Sequence, residues 1–398
     1  MAVDSIQTLL THAPVQAARE RFVASRDEII EHAITIQQIP APTGAEGERA
    51  AWVCSRFEQL CLADVRRDAL GNVYARRPGR AGHPAVIVAA HLDTVFSAET
   101  DLRVRRDRAT GRIYGPGLGD NSLGVAGLLV LAEVMQDLAI PTPGDVWFVA
   151  DVGEEGLGNL RGMCAVTNAL GDQVSAVIAV EGGGFGMICH QGIGVRRLRI
   201  EVRTPGGHAW SDFGVPSAVH TLLRLGAALT EMQIPPAPMT TFNIGIISGG
   251  TTINTIAHEA HLLLDLRSEA TPALNALEEQ TYRIVAGARR QAADGVEIEI
   301  EQIGNRPSGH IPRDHALTRL ATAALEAVEI PTDQIGYRSG STDANIPLSR
   351  GIPALCLGLT DTYNAHRTDE FIEPTRLPQG LTQLLLVVLA AAGGLMEE

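Results

Sequence analysis

Asp145-Val146-Trp147-Phe148-Val149-Ala150-Asp151 runs into Val152-Gly153-Glu154-Glu155, an apolar, strand-like stretch that ends in two adjacent carboxylates. An unbroken apolar run bounded by acids reads as a strand buried on both faces. An acidic pair by itself is most often solvated surface. This pair falls just beyond the carboxyl end of a strand, where ligands bind in folds built on parallel strands. Two carboxylates there suit the divided labour of a metal-dependent hydrolase. One holds a cation, and its unbound neighbour takes a proton from the activated water. Upstream, His91-Leu92-Asp93 and Asp120 offer further ligating groups, as do Glu181 and His366 downstream.

The pattern around the acid pair repeats. Residues 84–90 read as a buried strand, 121–137 as a helix, 146–151 as strand, 157–170 as mostly helix and 174–180 as strand. Strands interleaved with helices predict an α/β fold with a mostly parallel sheet covered by helices on both faces. His91, Glu154, Glu155 and Glu181 then all fall at strand ends. From about Gly194 the order changes to strand 195–203, helix 216–233, strands 241–248 and 258–266, helix 271–293 and strand 296–303. This β-α-β-β-α-β run is the order of a ferredoxin-like α+β unit. The first pattern resumes with helix 314–327, strand 354–357 and helix 377–392. The expectation is a catalytic domain of residues 1–193 and 307–398, interrupted by an inserted domain of residues 194–306.

Composition bounds the function. At 398 residues the chain exceeds what one core usually serves. With 45% hydrophobic and 20% charged residues it suits a globular protein with a sizeable core. A net charge of −14 offers no basic field for phosphates, so no nucleic-acid partner is expected, and no membrane. Met1 to Ser5 shows no basic or apolar leader, and the apolar run 384–395 is short and Ala/Gly-rich, suiting a packed helix. Five dispersed cysteines without a Cys-x-x-Cys pair read as reduced thiols, so the expected location is cytoplasmic.

Taken singly, the motifs are weak. His-x-Asp is common, although a carboxylate two residues on can orient a ligating imidazole. Gly115-Pro116-Gly117-Leu118-Gly119-Asp120-Asn121 fits neither a phosphate loop nor the dinucleotide spacing, and neither does Glu181-Gly182-Gly183-Gly184. Glycines packed before one acid suit close approach of backbone to a metal centre, with Asp120 bridging. His366 lies in the polar run Tyr363-Asn364-Ala365-His366-Arg367-Thr368-Asp369-Glu370, where a lone histidine is usually surface.

In order, the motifs are far more specific. His91-x-Asp93, Asp120, Glu154-Glu155, Glu181, Gly206-Gly207-His208, Asn254, Gly340-Ser341-Thr342-Asp343-Ala344 and His366 together resemble the co-catalytic zinc peptidases of the aminoacylase, dipeptidase, tripeptidase and glutamate-carboxypeptidase type. The resemblance spans about His91 to Glu370. It implies two zinc ions per chain, with cobalt or manganese able to substitute. His91, Asp120 and Glu181 would hold one ion, and Asp120, Glu155 and His366 the other. It further implies that Asp93 orients His91, that Glu154 is the general base, and that the Asp120–Asn121 peptide is cis. The inserted segment resembles the family's lid and dimerisation domain, so a homodimer is expected. His208 would reach the neighbouring subunit's site to polarise the scissile carbonyl, with Asn254 beside the substrate. Asn121-Ser122 departs from the usual acidic or Met residue followed by Lys, which leaves ligation by Asp120 intact but alters the contacts expected from that helix start, and Ser341 stands where glycine is common.

The resemblance implies a small peptide or an N-acyl amino acid as substrate, with a slight lean to peptides. Arg267 and Arg338 are the residues able to grip a substrate carboxylate. For Arg267 a structural pair with Asp265 weighs equally. A catalytically silent relative kept for binding or assembly is the reading of another class. Such a chain should lack Glu154 or a ligand, and none is missing here.

Overall fold

A computed structural model describes residues 2–394. Met1 and residues 395–398, which the expected catalytic segments include, and Leu395, where the expected apolar run ends, lie outside that range. The described residues form two compact units. One contains the chain up to Gly192 and from His310 onward, and the other is Ile193–Gly309.

The larger unit is built on a mixed sheet whose centre is parallel. Gly144–Asp151, Gly82–His91, Val174–Gly183 and Ala354–Tyr363 lie side by side in that order, all parallel. Val73–Arg77 adds antiparallel beyond Gly144–Asp151, and Ala63–Arg67 beyond it. Alternate side chains along the central strands are buried alike, so both faces are covered. The helices Leu123–Asp137 and Leu377–Ala391 pack against these strands. The stretch Leu118–Asp137 is long and apolar enough to cross a bilayer, yet 89% of its most apolar window is buried inside the fold. A helix apolar all round is a core element when it is covered in this way.

Several boundaries differ from expectation by a few residues, and three of them bear on the site. The helix expected from residue 157 begins at Arg161, because Gly156, Asn159 and Leu160 adopt positive φ and hold the chain in a 3-10 turn first. The helix expected from residue 121 becomes regular only at Leu123, since Asp120 and Asn121 have non-helical dihedrals within a π-turn. The strand expected at 354–357 continues to Tyr363. Gly358 and Thr360 keep pairing with Glu181 and Gly183, and Asp361 to Tyr363 then pair with Phe371–Glu373.

The second unit is a four-stranded antiparallel sheet in the order Thr240–Gly249, Glu259–Ser268, Gly194–Arg203, Glu297–Arg306. Leu198, Ile200, Val202, Leu262, Leu264 and Leu266 point to one face and are buried. There they meet Leu222, Leu225 and Leu229 of helix Ala218–Thr230 and Leu274 and Leu277 of helix Thr271–Gln291. Each such aliphatic side chain is worth roughly 1.5–3 kcal/mol when fully buried. The first and last strands are neighbours, with Val195 opposite Arg306.

Candidate metal centre

The parallel register brings the chemistry to one end of the sheet. His91 closes its strand opposite Asp151, and the next residue donates its N–H to the Asp151 carbonyl at 2.7 Å. The chain then turns so that Asp93 lies fully buried beneath the acid pair. Asp93 Oδ1 accepts the Glu154 N–H at 3.0 Å, and Oδ2 accepts the Glu155 N–H at 3.0 Å and the Thr43 hydroxyl at 2.8 Å. His91 Nδ1 faces the Asp93 carbonyl at 3.1 Å and Oδ1 at 3.5 Å. An Nδ1–H donated there leaves the Nε2 lone pair directed the other way. Burial works to raise the Asp93 carboxyl, but His91, the Glu155 N–H and Thr43 overcome it and hold it at about 2. Arg49 is buried below, donating from Nη1 to the Leu92 carbonyl at 2.7 Å and from Nε and Nη2 to Ile39. Burial lowers its guanidinium to about 10, with Asp93 opposing.

Asp120 is presented by a loop whose Gly117 has φ +69°, and the Asp120–Asn121 peptide is cis, as the resemblance implied. Asn121 clasps the neighbouring strand. Its Nδ2 donates to the Val180 carbonyl at 2.9 Å, and its Oδ1 accepts the Gly182 N–H at 2.9 Å. A side chain at Gly182 would sit 2.2 Å from the Gly119 carbonyl oxygen, so glycine is required for the two segments to close. Glu181 between them faces the Asp120 side. Glu370 grips the loop from the other flank through three backbone N–H groups. Burial and the nearby Asp120 carboxylate lift Glu370 to about 7 against those donors.

Two groups of ligating atoms result, each with its atoms within 4.8 Å of one another: His91, Asp120 and Glu181, and Asp120, Glu155 and His366. Asp120 belongs to both through different oxygens. Its Oδ1 lies 3.2 Å from His91 Nε2, and its Oδ2 lies 3.1 Å from His366 Nε2. Glu181 Oε2 is 3.6 Å from His91 Nε2, and Glu155 Oε1 is 3.1 Å from His366 Nε2. Each group offers one imidazole and two carboxylates, a donor set that suits Zn, Co or Mn. Both groups attract positive charge. Asp120 and Glu155 lift His366 to about 10, and burial, which should lower His91, is overcome by Glu181, Asp120 and Asp93, which carry it well above its usual value. Glu154 is buried beside Glu155 and belongs to neither group.

A further acid pair lies behind the site. Asp151 and Asp343 are both buried, and burial raises Asp151 to about 7 and Asp343 well above its usual range. Burial disfavours charge on both, and the Asp151 carboxylate pushes Asp343 further in the same direction. Arg338, on the strand Gly336–Gly340, comes within 3.1 Å of where a Gly184 Cβ would stand, near the end of the Glu181 strand. His208, Asn254 and Arg267 belong to the second unit. His208 and Asn254 are neighbours there: Gly207–His208 pairs with Thr255–Ile256, and the Ala209 N–H donates to the Asn254 carbonyl at 3.0 Å. Arg267 Nε pairs with Asp265 Oδ2 at 2.6 Å, the structural partner expected as the alternative.

Arg49 and Glu370 were not singled out by sequence as parts of the site, while Asn121 was named only for its cis peptide and its departure from the family pattern and Asp343 only within the Gly340–Ala344 motif, neither with a role. Glu370 lies four residues after His366 in the same polar run, the one signal available for it.

With this geometry in view, the comparison with known proteins is decisive. The model of peptidase family M20/M25/M40 matches residues 87–390. This chain belongs to that family. The M20 match takes in every residue of both ligand groups and the whole second unit, and it makes the protein a metal-dependent hydrolase. Among M20-type relatives, the chain is 25% identical over 341 residues to succinyl-diaminopimelate desuccinylase of Corynebacterium glutamicum, covering 83% of this chain and 88% of that one. It is 29% identical over 323 residues to N-acetyl-L-citrulline deacetylase of Xanthomonas campestris pv. campestris, covering 78% and 82%. The fold is similar to that of a tripeptidase from Staphylococcus aureus, with a TM-score of 0.77 at 22% identity, covering 92% and 98%.

Proposed function

We propose that the chain cleaves the amide bond of a small N-acyl amino acid or short peptide, with two divalent cations, zinc or its substitutes cobalt and manganese, held by His91, Asp120 and Glu181 and by Asp120, Glu155 and His366. The observation that carries this reading is the division of the Asp120 oxygens between two ligand groups, with Glu154 beside them and outside both. Bound cations supply Lewis-acid activation of a water and of the scissile carbonyl. Asp93 fixes the His91 ring and the backbone of the acid pair. Glu154 takes a proton from the attacking water and returns it to the departing amine nitrogen. The desuccinylase and deacetylase relatives favour the N-acyl substrate; the tripeptidase likeness is one of fold. Arg338 is the candidate for a substrate carboxylate within the larger unit, and Arg267, already paired with Asp265, is the weaker one. The test is a panel of N-succinyl and N-acetyl amino acids, dipeptides and tripeptides offered to the metal-loaded enzyme. Release of free amine from at least one class is expected, and a panel left wholly intact would sink the reading.

His208 is assigned to the oxyanion. Its Nδ1 accepts the N–H groups of Trp210 at 3.2 Å and Ser211 at 3.4 Å, so a neutral ring carries its proton on Nε2 and is built as a donor. His91 is held in the opposite tautomer, with its proton on Nδ1 toward Asp93 and its Nε2 lone pair facing Asp120 and Glu181, as a ligand must be. We assign the second unit to dimerisation. Its Thr240–Gly249 edge carries no charged residue and leaves Ile246 and Ile247 exposed, whereas the other edge carries Glu297, Glu299 and Glu301. Charges guard an edge against pairing, so the uncharged edge is the one offered to a second copy. If His208 then acts in the partner's site, mixing inactive His208→Ala and Glu154→Ala proteins should restore activity to roughly half the sites of each mixed dimer. Mixed dimers demonstrated by mass-tagged subunits but devoid of activity would place His208 outside the partner's site. All five cysteines are free, which accords with a cytoplasmic location.

A further inference from the structure

Asp120 is the only residue common to both ligand groups, so whatever fixes its backbone bears on both at once. The residue that does so is Glu370. It is fully buried, and every polar group it has is directed at one of two segments. Its side chain accepts the Gly117 N–H on Oε2 at 2.8 Å, and the Gly119 and Asp120 N–H groups on Oε1 at 2.7 and 2.9 Å. Its carbonyl accepts the Gly115 N–H at 2.9 Å. Its own N–H donates to the Arg367 carbonyl at 3.1 Å, closing a turn that follows directly on the Asn364–Arg367 turn displaying His366.

Successive N–H groups that converge on one carboxylate form a concave anion cradle, and a loop that makes one would otherwise leave those donors without partners. Here the anion is supplied by the chain itself. The fit is close: a Cβ on Gly119 would lie 3.0 Å from Glu370 Oε1 and 2.8 Å from Thr362 Cγ2. The peptide plane entering Asp120 is therefore set by a side chain rooted four residues from His366. Shifting Glu370 would move the two carboxylate oxygens that divide between the cation sites, whereas Glu181 and Glu155 each touch one site alone.

We infer that Glu370 is a positioning residue that locks the Asp120 loop to the His366 turn and so makes both cation sites depend on one carboxylate. The inference rests on Asp120 being the shared ligand, and the experiment separates the two claims. Cation affinity is measured by chelator competition for wild type, Glu370→Gln, Glu370→Asp, Glu181→Gln and Glu373→Gln, with the visible spectrum of each cobalt-loaded protein. Gln presents an N–H₂ to the cradle, and Asp is one methylene too short to reach all three donors. Both should weaken the two cations together, about ten- to a hundredfold, shift the cobalt bands, and lower kcat with KM unchanged. Glu181→Gln should weaken one cation only. Glu373→Gln, whose partner is Arg112, should weaken neither. Wild-type affinity and spectrum in the Glu370 variants, even with a lowered melting temperature, would overturn the inference, as would loss of a single cation. So would failure of both variants to fold, because the residue would then serve the fold alone. If wild type itself binds no cation, the metal reading fails instead.

Discussion

Replacing Glu154 by Gln is expected to cost about 10² to 10⁴ in kcat while leaving both cations bound. Gln is isosteric and keeps the local packing of a side chain that is 6% exposed, so the change removes proton transfer and little else. The carboxylate does two tasks in sequence, accepting a proton from water and delivering it to the amine, which places the loss toward the upper end of that range. The backbone N–H of residue 154 still donates to Asp93, so the acid pair stays in register with the His91 turn. Stopped-flow or steady-state rates, read beside elemental analysis, decide the matter. Activity within a few-fold of wild type would remove Glu154 from the proton path. Loss of cations in step with activity would make it a ligand.

Stripping the cations with a chelator should abolish turnover, and zinc, cobalt or manganese should restore it. Asp120→Ala should lose both ions, because its oxygens face both imidazoles, whereas Glu155→Ala should lose one. Loading should also release protons. His366 is held near 10 by Asp120 and Glu155, and His91 is raised by Glu181 and Asp120, so both imidazoles are protonated at neutral pH until a cation displaces the proton. The sign follows: affinity rises with pH and levels off only above about 10, with ~2 protons released per chain near neutrality. Calorimetry in buffers of different ionisation enthalpy reads that number directly. Cation affinity independent of pH, or less than one ion per active chain, would contradict the site.

The sequence made the strand 145–151 and its acid pair legible because burial on both faces writes an unbroken apolar run, and the polar residues that follow must then sit at its end. The ordering of His91, Asp120, Glu155, Glu181 and His366 was legible only as a set. His366 alone, in a polar loop and half exposed, carries no signature of its neighbours. What escaped are residues whose partners lie far off in the chain. Glu370 meets Gly117 across more than two hundred residues, Asn121 reaches Val180, and Arg49 reaches Leu92. No local pattern encodes such contacts. The helices Ala13–Ala24 and Arg26–Gln37 were missed for a different reason. Val15, Ala18 and Phe22 carry helical spacing, but neither helix bears a residue of the two ligand groups.

The pairing of Val195 with Arg306 means that the second unit is entered and left along adjacent strands, only ~5 Å apart. On the other side of that doorway the Ile311 N–H meets the His190 carbonyl at 3.1 Å, so the larger unit also holds its two cut ends together. A segment attached in this way behaves as a cassette. It can be lengthened, exchanged or lost in descent without rethreading the sheet that bears the acids, because a short turn would bridge the gap. The same scaffold can thus carry different inserted units while the residues at its strand ends stay in place.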